Sequence, residues 1–184
     1  PCFTTTADGY EYTYQVNFLA HFLINEIITR MHDPCKPLKI AAVTSTVYRI
    51  GAHDLKFIQG CSDYKPLKAY SDSKLCLALM CRRFASRYKS TNISFLTFDP
   101  GIFGSRIYRM QSRFFGILYN IAAPFMRKPS SVARTLAGVL IEYNFISGEI
   151  YDRRKRIRKI TEIEPSVSEA FWKETLQKIS PYLD

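Results

Sequence analysis

The chain has 184 residues, 47% of them hydrophobic, and a formal net charge of +10 at pH 7. This length and composition allow one buried core and exclude a disordered polypeptide. Five cysteines without a C-x-x-C spacing exclude a cysteine-rich zinc site and indicate reduced thiols. No signal-peptide pattern is visible, and no segment reaches the ~18 uncharged apolar residues of a membrane span.

Apolar residues at helical spacing, from Val16 to Ile27, predict a helix that Asp8 caps and that two prolines end. The next apolar run, 39–45, is short and bounded by helix breakers, which is typical of a buried parallel strand. The polar stretch 46–67 predicts irregular structure.

A second helix and strand follow in the middle of the chain. Residues 68–88 are apolar on more than one helical face, which predicts a long, largely buried helix. Residues 93–98 predict the next buried strand, and the turn Asp99-Pro100-Gly101 closes it. Because helix and strand alternate twice, the expected fold class is α/β, with a sheet of parallel strands joined by right-handed crossovers.

The last part of the chain predicts two more helices and a short strand. Ser130 or Ser131 caps a helix that runs to about Asn144. Residues 148–151 predict the strand, and Pro165 opens the final helix.

Much of the positive charge lies in one run, from Arg153 to Lys159. Such a run indicates either an anionic partner, such as a lipid surface, a phosphate or a nucleic acid, or a solvated basic loop or edge strand. The solvated loop or strand is favoured and no nucleic acid is expected, because no nucleic-acid-binding module surrounds the run.

Tyr70 and Lys74 are four residues apart in the second predicted helix, so their side chains share one face. A nearby ammonium favours the phenolate, and we expect Lys74 to lower the pKa of Tyr70. A phenol with a lowered pKa can donate or accept a proton near neutral pH. Taken alone, the same spacing also fits a packed tyrosine beside a solvated lysine.

Ser45 and the Pro100-Gly101 turn each follow a predicted strand, and Tyr70 begins the helix between those strands. Ligands in an open α/β sheet bind at the carboxyl ends of its strands. The three features therefore predict one site at that edge.

Four segments carry a family resemblance: residues 14–23, 43–45, 70–74 and 99–105. They resemble, in this order, the asparagine-bearing helix, the serine-bearing strand end, the Tyr-x-x-x-Lys motif and the Pro-Gly segment of the short-chain dehydrogenase/reductase family. The 25-residue gap between the serine and the tyrosine resembles the retinol-dehydrogenase-like branch. The resemblance implies a Rossmann-like doubly wound parallel sheet with flanking helices.

The resemblance also implies an NAD(P)-dependent oxidoreductase that interconverts a lipophilic alcohol, retinoid-like or steroid-like, and its aldehyde or ketone. Tyr70 would exchange a proton with the substrate oxygen, and Ser45 would bind that oxygen and stabilise its charge. Lys74 would hold the nicotinamide ribose, and Asn17 would position a water. The implied cofactor-binding residues are Lys74, Tyr70, Pro100, Gly101, Ile102 and Ser105. No metal is expected, and the choice between NADP and NAD stays open.

Two glycine signatures of the family, G-x-x-x-G-x-G and Asn-Asn-Ala-Gly, are absent from the sequence. We therefore expect residues 1–184 to be a single partial domain, truncated at the N-terminus, that lacks the first βαβ half. Alone, such a chain would expose strand edges and bind dinucleotide poorly. Whether a membrane anchor precedes it stays open.

Residues 107–128 are rich in aromatic side chains and lie where the family places its substrate-covering segment. They suit a lipophilic substrate, a membrane surface or an ordinary core helix. Residues 150–184 form a basic segment and a helix. The expected location is the cytoplasm or the cytosolic face of an internal membrane, and a homodimer stays open. The alternative function is an inactive remnant that acts as a binding or membrane-surface module.

Overall fold

The computed structural model describes residues 2–56, 64–101, 128–141, 144–160 and 162–183. Within these residues, helices flank one four-stranded sheet. The strands are β1 (Leu38–Val43), β2 (Ile93–Asp99), β3 (Ile150–Asp152) and β4 (Ile157–Arg158). The helices are α1 (Tyr12–Tyr14), α2 (Ala20–Met31), α3 (Pro66–Arg87), α4 (Pro129–Ile141) and α5 (Pro165–Ile179).

The sheet has the order β1-β2-β3-β4, and its first three strands are parallel. Val43 lies beside Phe98 and Asp99 lies beside Asp152, so the carboxyl ends of β1, β2 and β3 meet at one edge. The predicted α/β sheet of parallel strands is confirmed. The basic run forms a hairpin into β4, which pairs antiparallel with β3.

The long helix α3 forms the centre of the core, as its apolar pattern predicts. Pro66 occupies its first turn, where a fixed φ favours the helix and no amide donor is lost. Phe84 is 0% exposed, and its ring contacts those of Phe22 on α2, Phe95 on β2 and Trp172 on α5, at centroid distances of 5.4, 5.2 and 5.3 Å. One aromatic cluster thus joins two flanking helices and the sheet to α3.

Two helix starts differ from their predictions. Glu11, and not Asp8, caps α1: its carboxylate accepts the amides of Thr13 at 3.0 Å and Tyr14 at 2.7 Å. Gly9 has a φ of +82° and turns the chain after Asp8, which leaves Asp8 outside the helix. The fourth helix starts at Pro129 and not at a serine cap, because proline suits a first helical position.

In the part of the chain that the structure describes, no helix combines the length and the apolarity that crossing a bilayer requires.

Candidate active site

Ser45 lies just past the carboxyl end of β1, in extended backbone with φ −151° and ψ 150°. Its carbonyl accepts the amide of Tyr48 at 2.9 Å, which opens a 3₁₀ turn. That turn is fixed at two further points. The Thr46 hydroxyl donates to both carboxylate oxygens of Asp99, at 3.0 and 3.1 Å, and the buried Tyr48 hydroxyl donates to the carbonyl of Lys159 at 3.1 Å. Ser45 is therefore held by contacts to two other strand ends.

The segment that carries Ser45 is also fixed to helix α3. The Thr44 hydroxyl donates to the carbonyl of Lys74 at 2.9 Å, and the Ala52 amide donates to the Asp72 carboxylate at 2.7 Å. Asp72 is buried and also pairs with Lys68. Asp72 occupies a variable position of the Tyr-x-x-x-Lys motif, so the motif alone does not indicate this contact. An acidic residue inside an otherwise buried helix was the signal for this role.

The Tyr70 phenol lies near the Ser45 hydroxyl, close enough for the two groups to interact. Burial raises the pKa of Tyr70, and the interaction with Ser45 opposes that rise. The raised pKa keeps the phenol protonated at neutral pH. In this structure Tyr70 therefore carries its proton and lies beside a second hydroxyl.

Lys74 lies one helical turn from Tyr70, as predicted, but it does not lower the pKa of the phenol. Its Nζ lies 5.8 Å from the centre of the Tyr70 ring and donates to the Val43 carbonyl at 3.2 Å. Burial lowers the pKa of Lys74 itself. The expected effect on Tyr70 is wrong for this structure, because the ammonium is directed at a carbonyl on β1 and burial dominates at the phenol.

Asn17 lies in a π-helical turn, Gln15–Leu19, that joins α1 to α2. Single π turns within helices occur frequently at functional sites. The Asn17 amide donates to the Ser73 hydroxyl at 3.2 Å, and Ser73 donates to the Tyr70 carbonyl at 2.8 Å. The four predicted catalytic residues are thus gathered around the first turns of α3.

Pro100 and Gly101 follow β2 at the same edge of the sheet. Gly101 has a φ of +66°, a conformation that side chains with a Cβ rarely adopt, and its amide donates to Asp99 at 2.9 Å. The predicted cofactor-binding residues Ile102 and Ser105 lie outside the described residues. The same holds for the substrate-covering segment, except for Lys128.

Curated proteins with similar sequences include several retinol dehydrogenases. Mouse retinol dehydrogenase 12 is 27% identical over 157 residues, which are 84% of this chain and 49% of that protein. Human retinol dehydrogenase 12 is 29% identical, over 72% of this chain and 42% of that protein. Mouse retinol dehydrogenase 14 is 31% identical, over 58% of this chain and 32% of that protein.

The chain is a relative of the retinol-dehydrogenase-like short-chain dehydrogenases/reductases. It spans about half or less of the length of the curated relatives that it matches. No protein-family profile matches it.

Two solved structures share the fold of this chain. An uncharacterized protein from Mycobacterium paratuberculosis superposes with a TM-score of 0.63 and 18% identity, over 98% of this chain and 63% of that one. A short-chain dehydrogenase from Salmonella enterica serovar Typhi superposes with a TM-score of 0.54 and 17% identity, over 77% of this chain and 51% of that one. At these identities the comparison concerns the fold alone.

The basic run 153–159 is organised around one buried carboxylate. Asp152, only 5% exposed, ends β3 and pairs with Arg156 and Arg158 at 3.1 and 2.6 Å. Burial raises the pKa of Asp152, but the backbone amides of Arg156 and Arg154 and the two guanidiniums outweigh burial and lower it to about 2. Two of the basic side chains therefore have a structural partner.

This ion cluster predicts an acid-sensitive stability. The unfolded Asp152 titrates near its ordinary value of 3.8 and the folded one at about 2, so the stabilisation is present above pH 4 and is lost as the pH falls to 2. We expect a loss of about 2 kcal/mol at most, since salt screens half-exposed guanidiniums. Denaturant unfolding between pH 5 and pH 2 measures this loss. Asp152→Asn should flatten that part of the profile, and parallel profiles would contradict the prediction.

A cavity of about 720 Å³ opens between the N-terminal segment and α5. Its walls include Tyr10, Tyr14, Phe171 and Lys178, and the Lys178 ammonium lies over both tyrosine rings. None of the four predicted catalytic residues lines this cavity. It is separate from the candidate active site.

Among the described residues, no group of three or more His, Cys, Asp or Glu side chains could hold a metal ion.

Proposed function

We propose that the native protein containing this chain is an NAD(P)-dependent oxidoreductase that interconverts a lipophilic alcohol and its aldehyde or ketone. The observation that carries the proposal is the Ser45–Tyr70 pair at the carboxyl edge of a parallel sheet, with Lys74 one turn along the same helix. The names of the curated relatives, which are retinol dehydrogenases, favour an alcohol of the retinoid kind.

The residues present suit the nicotinamide half of the cofactor. Gly101 leaves its backbone without a side chain at the end of β2, and Lys74 places an ammonium at the end of the neighbouring β1. In the proposal, Lys74 and Tyr70 hold the nicotinamide ribose, and Pro100 and Gly101 contact the nicotinamide end. The bound cofactor supplies hydride exchange with the substrate carbon. Either NAD or NADP is compatible with these residues.

The chain's own residues handle the proton and the oxygen. Tyr70 is protonated at neutral pH and donates its proton to the substrate oxygen during reduction. Ser45 donates a hydrogen bond to the same oxygen and stabilises its developing charge. These two hydroxyls lie near each other in the free protein, so one substrate oxygen could accept a hydrogen bond from both. Asn17 reaches α3 through Ser73 and would position a water near Lys74.

Replacing Ser45 tests this proposal. Ser45→Ala in the native protein should lower kcat by on the order of 10²-fold, as loss of an oxyanion donor does. Dinucleotide binding should stay unchanged. Ser45→Thr is the matched control, because it keeps the hydroxyl and should retain most activity. The measurement is turnover of retinal and nonanal with NADH and with NADPH. No dinucleotide-dependent turnover of either aldehyde by the wild-type protein would contradict the proposal.

The second candidate function is an inactive binding or membrane-surface module. It is favoured by the excess of positive charge in the 153–159 run. The intact mass of the native protein and its dinucleotide binding discriminate the two candidates. A 21.3 kDa product that binds anionic vesicles and no dinucleotide would favour the module.

A further inference from the structure

We propose that Arg153 is an anion-binding residue of the candidate active site and binds a carboxylate or phosphate group of the ligand there. This inference rests on the proposed function and deepens it. It narrows the ligand to one that carries an anionic group within reach of the reacting oxygen.

The first observation is the position of the Arg153 side chain. Arg153 directly follows β3, and its half-buried side chain leans across the end of β2. A methyl group added at Gly101 would lie 3.5 Å from Cδ, 3.7 Å from Nε and 3.9 Å from Cζ of Arg153. The guanidinium is therefore packed against the Pro100-Gly101 turn, where the nicotinamide and the substrate would lie in the proposed function.

The second observation is that the nearby carboxylates are already engaged. Asp152 accepts the guanidiniums of Arg156 and Arg158, and Asp99 accepts the Thr46 hydroxyl and the Gly101 amide. Within the described part of the chain, no ion pair is formed by Arg153. Its positive charge is left for a ligand.

The third observation is the spacing of groups along the sheet edge. Ser45, Gly101 and Arg153 follow β1, β2 and β3, which are neighbouring strands. Adjacent strands lie about 5 Å apart, so the backbones at Ser45 and Arg153 are roughly 10 Å apart. The Arg153 side chain extends across the end of β2 toward β1. Its guanidinium is therefore closer than its backbone to Ser45, where the substrate oxygen would bind. A ligand with an oxygen at Ser45 and an anion several carbons away fits this arrangement.

A second guanidinium faces the same edge. Arg49, in the turn after Ser45, has its pKa raised by the Tyr48 hydroxyl and by the charges of Asp99 and Asp152. The Asp152–Lys159 stretch carries six cations and one carboxylate. This excess positive charge would draw an anionic ligand to the edge. Arginine suits the role because its planar fork matches carboxylate and phosphate oxygens.

The test uses the native protein and ligand pairs that differ only in charge. Calorimetry measures the binding of nonanoate and 1-nonanol, and turnover is measured with 9-oxononanoate and nonanal. Arg153→Ala should weaken nonanoate binding about 10- to 100-fold, the loss expected for a charge-assisted hydrogen bond, and leave 1-nonanol unaffected. Arg153→Lys should give an intermediate loss. Arg154→Ala is the matched control, because Arg154 is an exposed neighbour in the same run.

Three outcomes decide between sources of the anion. Selective loss of nonanoate binding and of 9-oxononanoate turnover in Arg153→Ala supports a substrate carboxylate. Weaker NADH or NADPH binding by fluorescence, with nonanoate binding unchanged, supports a dinucleotide phosphate. No change in either overturns the proposal.

These outcomes separate the anion site from the proposed reaction. If nonanoate binds through Arg153 but neither aldehyde turns over, the anion site stands and the oxidoreductase assignment fails. If both aldehydes turn over and Arg153→Ala changes no binding, the assignment stands and the anion site is wrong.

Discussion

Replacing Tyr70 with phenylalanine is expected to lower turnover of the native protein by about 10³- to 10⁴-fold, at the upper end of what general acid catalysis contributes. The phenol is the group that reaches Ser45 at the carboxyl edge of the sheet, and its raised pKa keeps it protonated at neutral pH. Phenylalanine preserves the half-buried ring and removes only the hydroxyl. The expected loss therefore falls mainly on kcat, and the dinucleotide should stay bound because Lys74 still holds the nicotinamide ribose.

A pH profile strengthens this test. Reduction requires the protonated phenol, so the rate should fall as the pH rises through the pKa of Tyr70. Burial moves that fall to higher pH than an exposed tyrosine would give.

Tyr88→Phe is the matched control for Tyr70→Phe, because Tyr88 caps the opposite, C-terminal end of the same helix α3. It removes an equivalent hydroxyl and should leave turnover unchanged. Undiminished turnover in Tyr70→Phe, with the control equally active, would exclude Tyr70 as the proton donor.

Much of the fold was predictable because hydrophobic spacing is local. The buried run at β1, the run at β2 and the many-sided apolar pattern of α3 each identify an element without knowledge of its neighbours. The convergence of Ser45, Tyr70 and Gly101 followed from topology, since parallel strands end at one edge. The structure places these elements as predicted.

What could not be predicted depends on the balance of competing interactions. Burial and the interaction with Ser45 shift the pKa of Tyr70 in opposite directions, and the direction of the Lys74 ammonium decides how far its charge contributes. The basic run gave no sign that two of its arginines share Asp152. The left-handed backbone conformation of Gly9 turns the chain after Asp8, so that Glu11 and not Asp8 caps the helix.

The site is built onto the core through α3, so packing far from the chemistry also determines its geometry. The same helix carries Tyr70 and Lys74 near its start and Phe84 near its end. Its early turns are fixed by the segment that carries Ser45, through Thr44 and Ala52. Loss of packing at the C-terminal end of α3 is therefore expected to lower the free energy of unfolding of the whole domain, including the candidate active site.

Phe84→Ala should lower the free energy of unfolding by about 3 to 5 kcal/mol, the usual loss when a buried phenylalanine is truncated. Phe84 is 0% exposed and contacts aromatic rings from α2, β2 and α5, so little can collapse into the space. Denaturant unfolding followed by circular dichroism measures the change. Phe84→Leu should cost less because it fills more of the site, and Ile141→Ala, at a side chain 78% exposed, should change stability by about 0.5 kcal/mol or less. Equal effects for Phe84→Ala and Ile141→Ala would mean that the aromatic cluster does not stabilise α3.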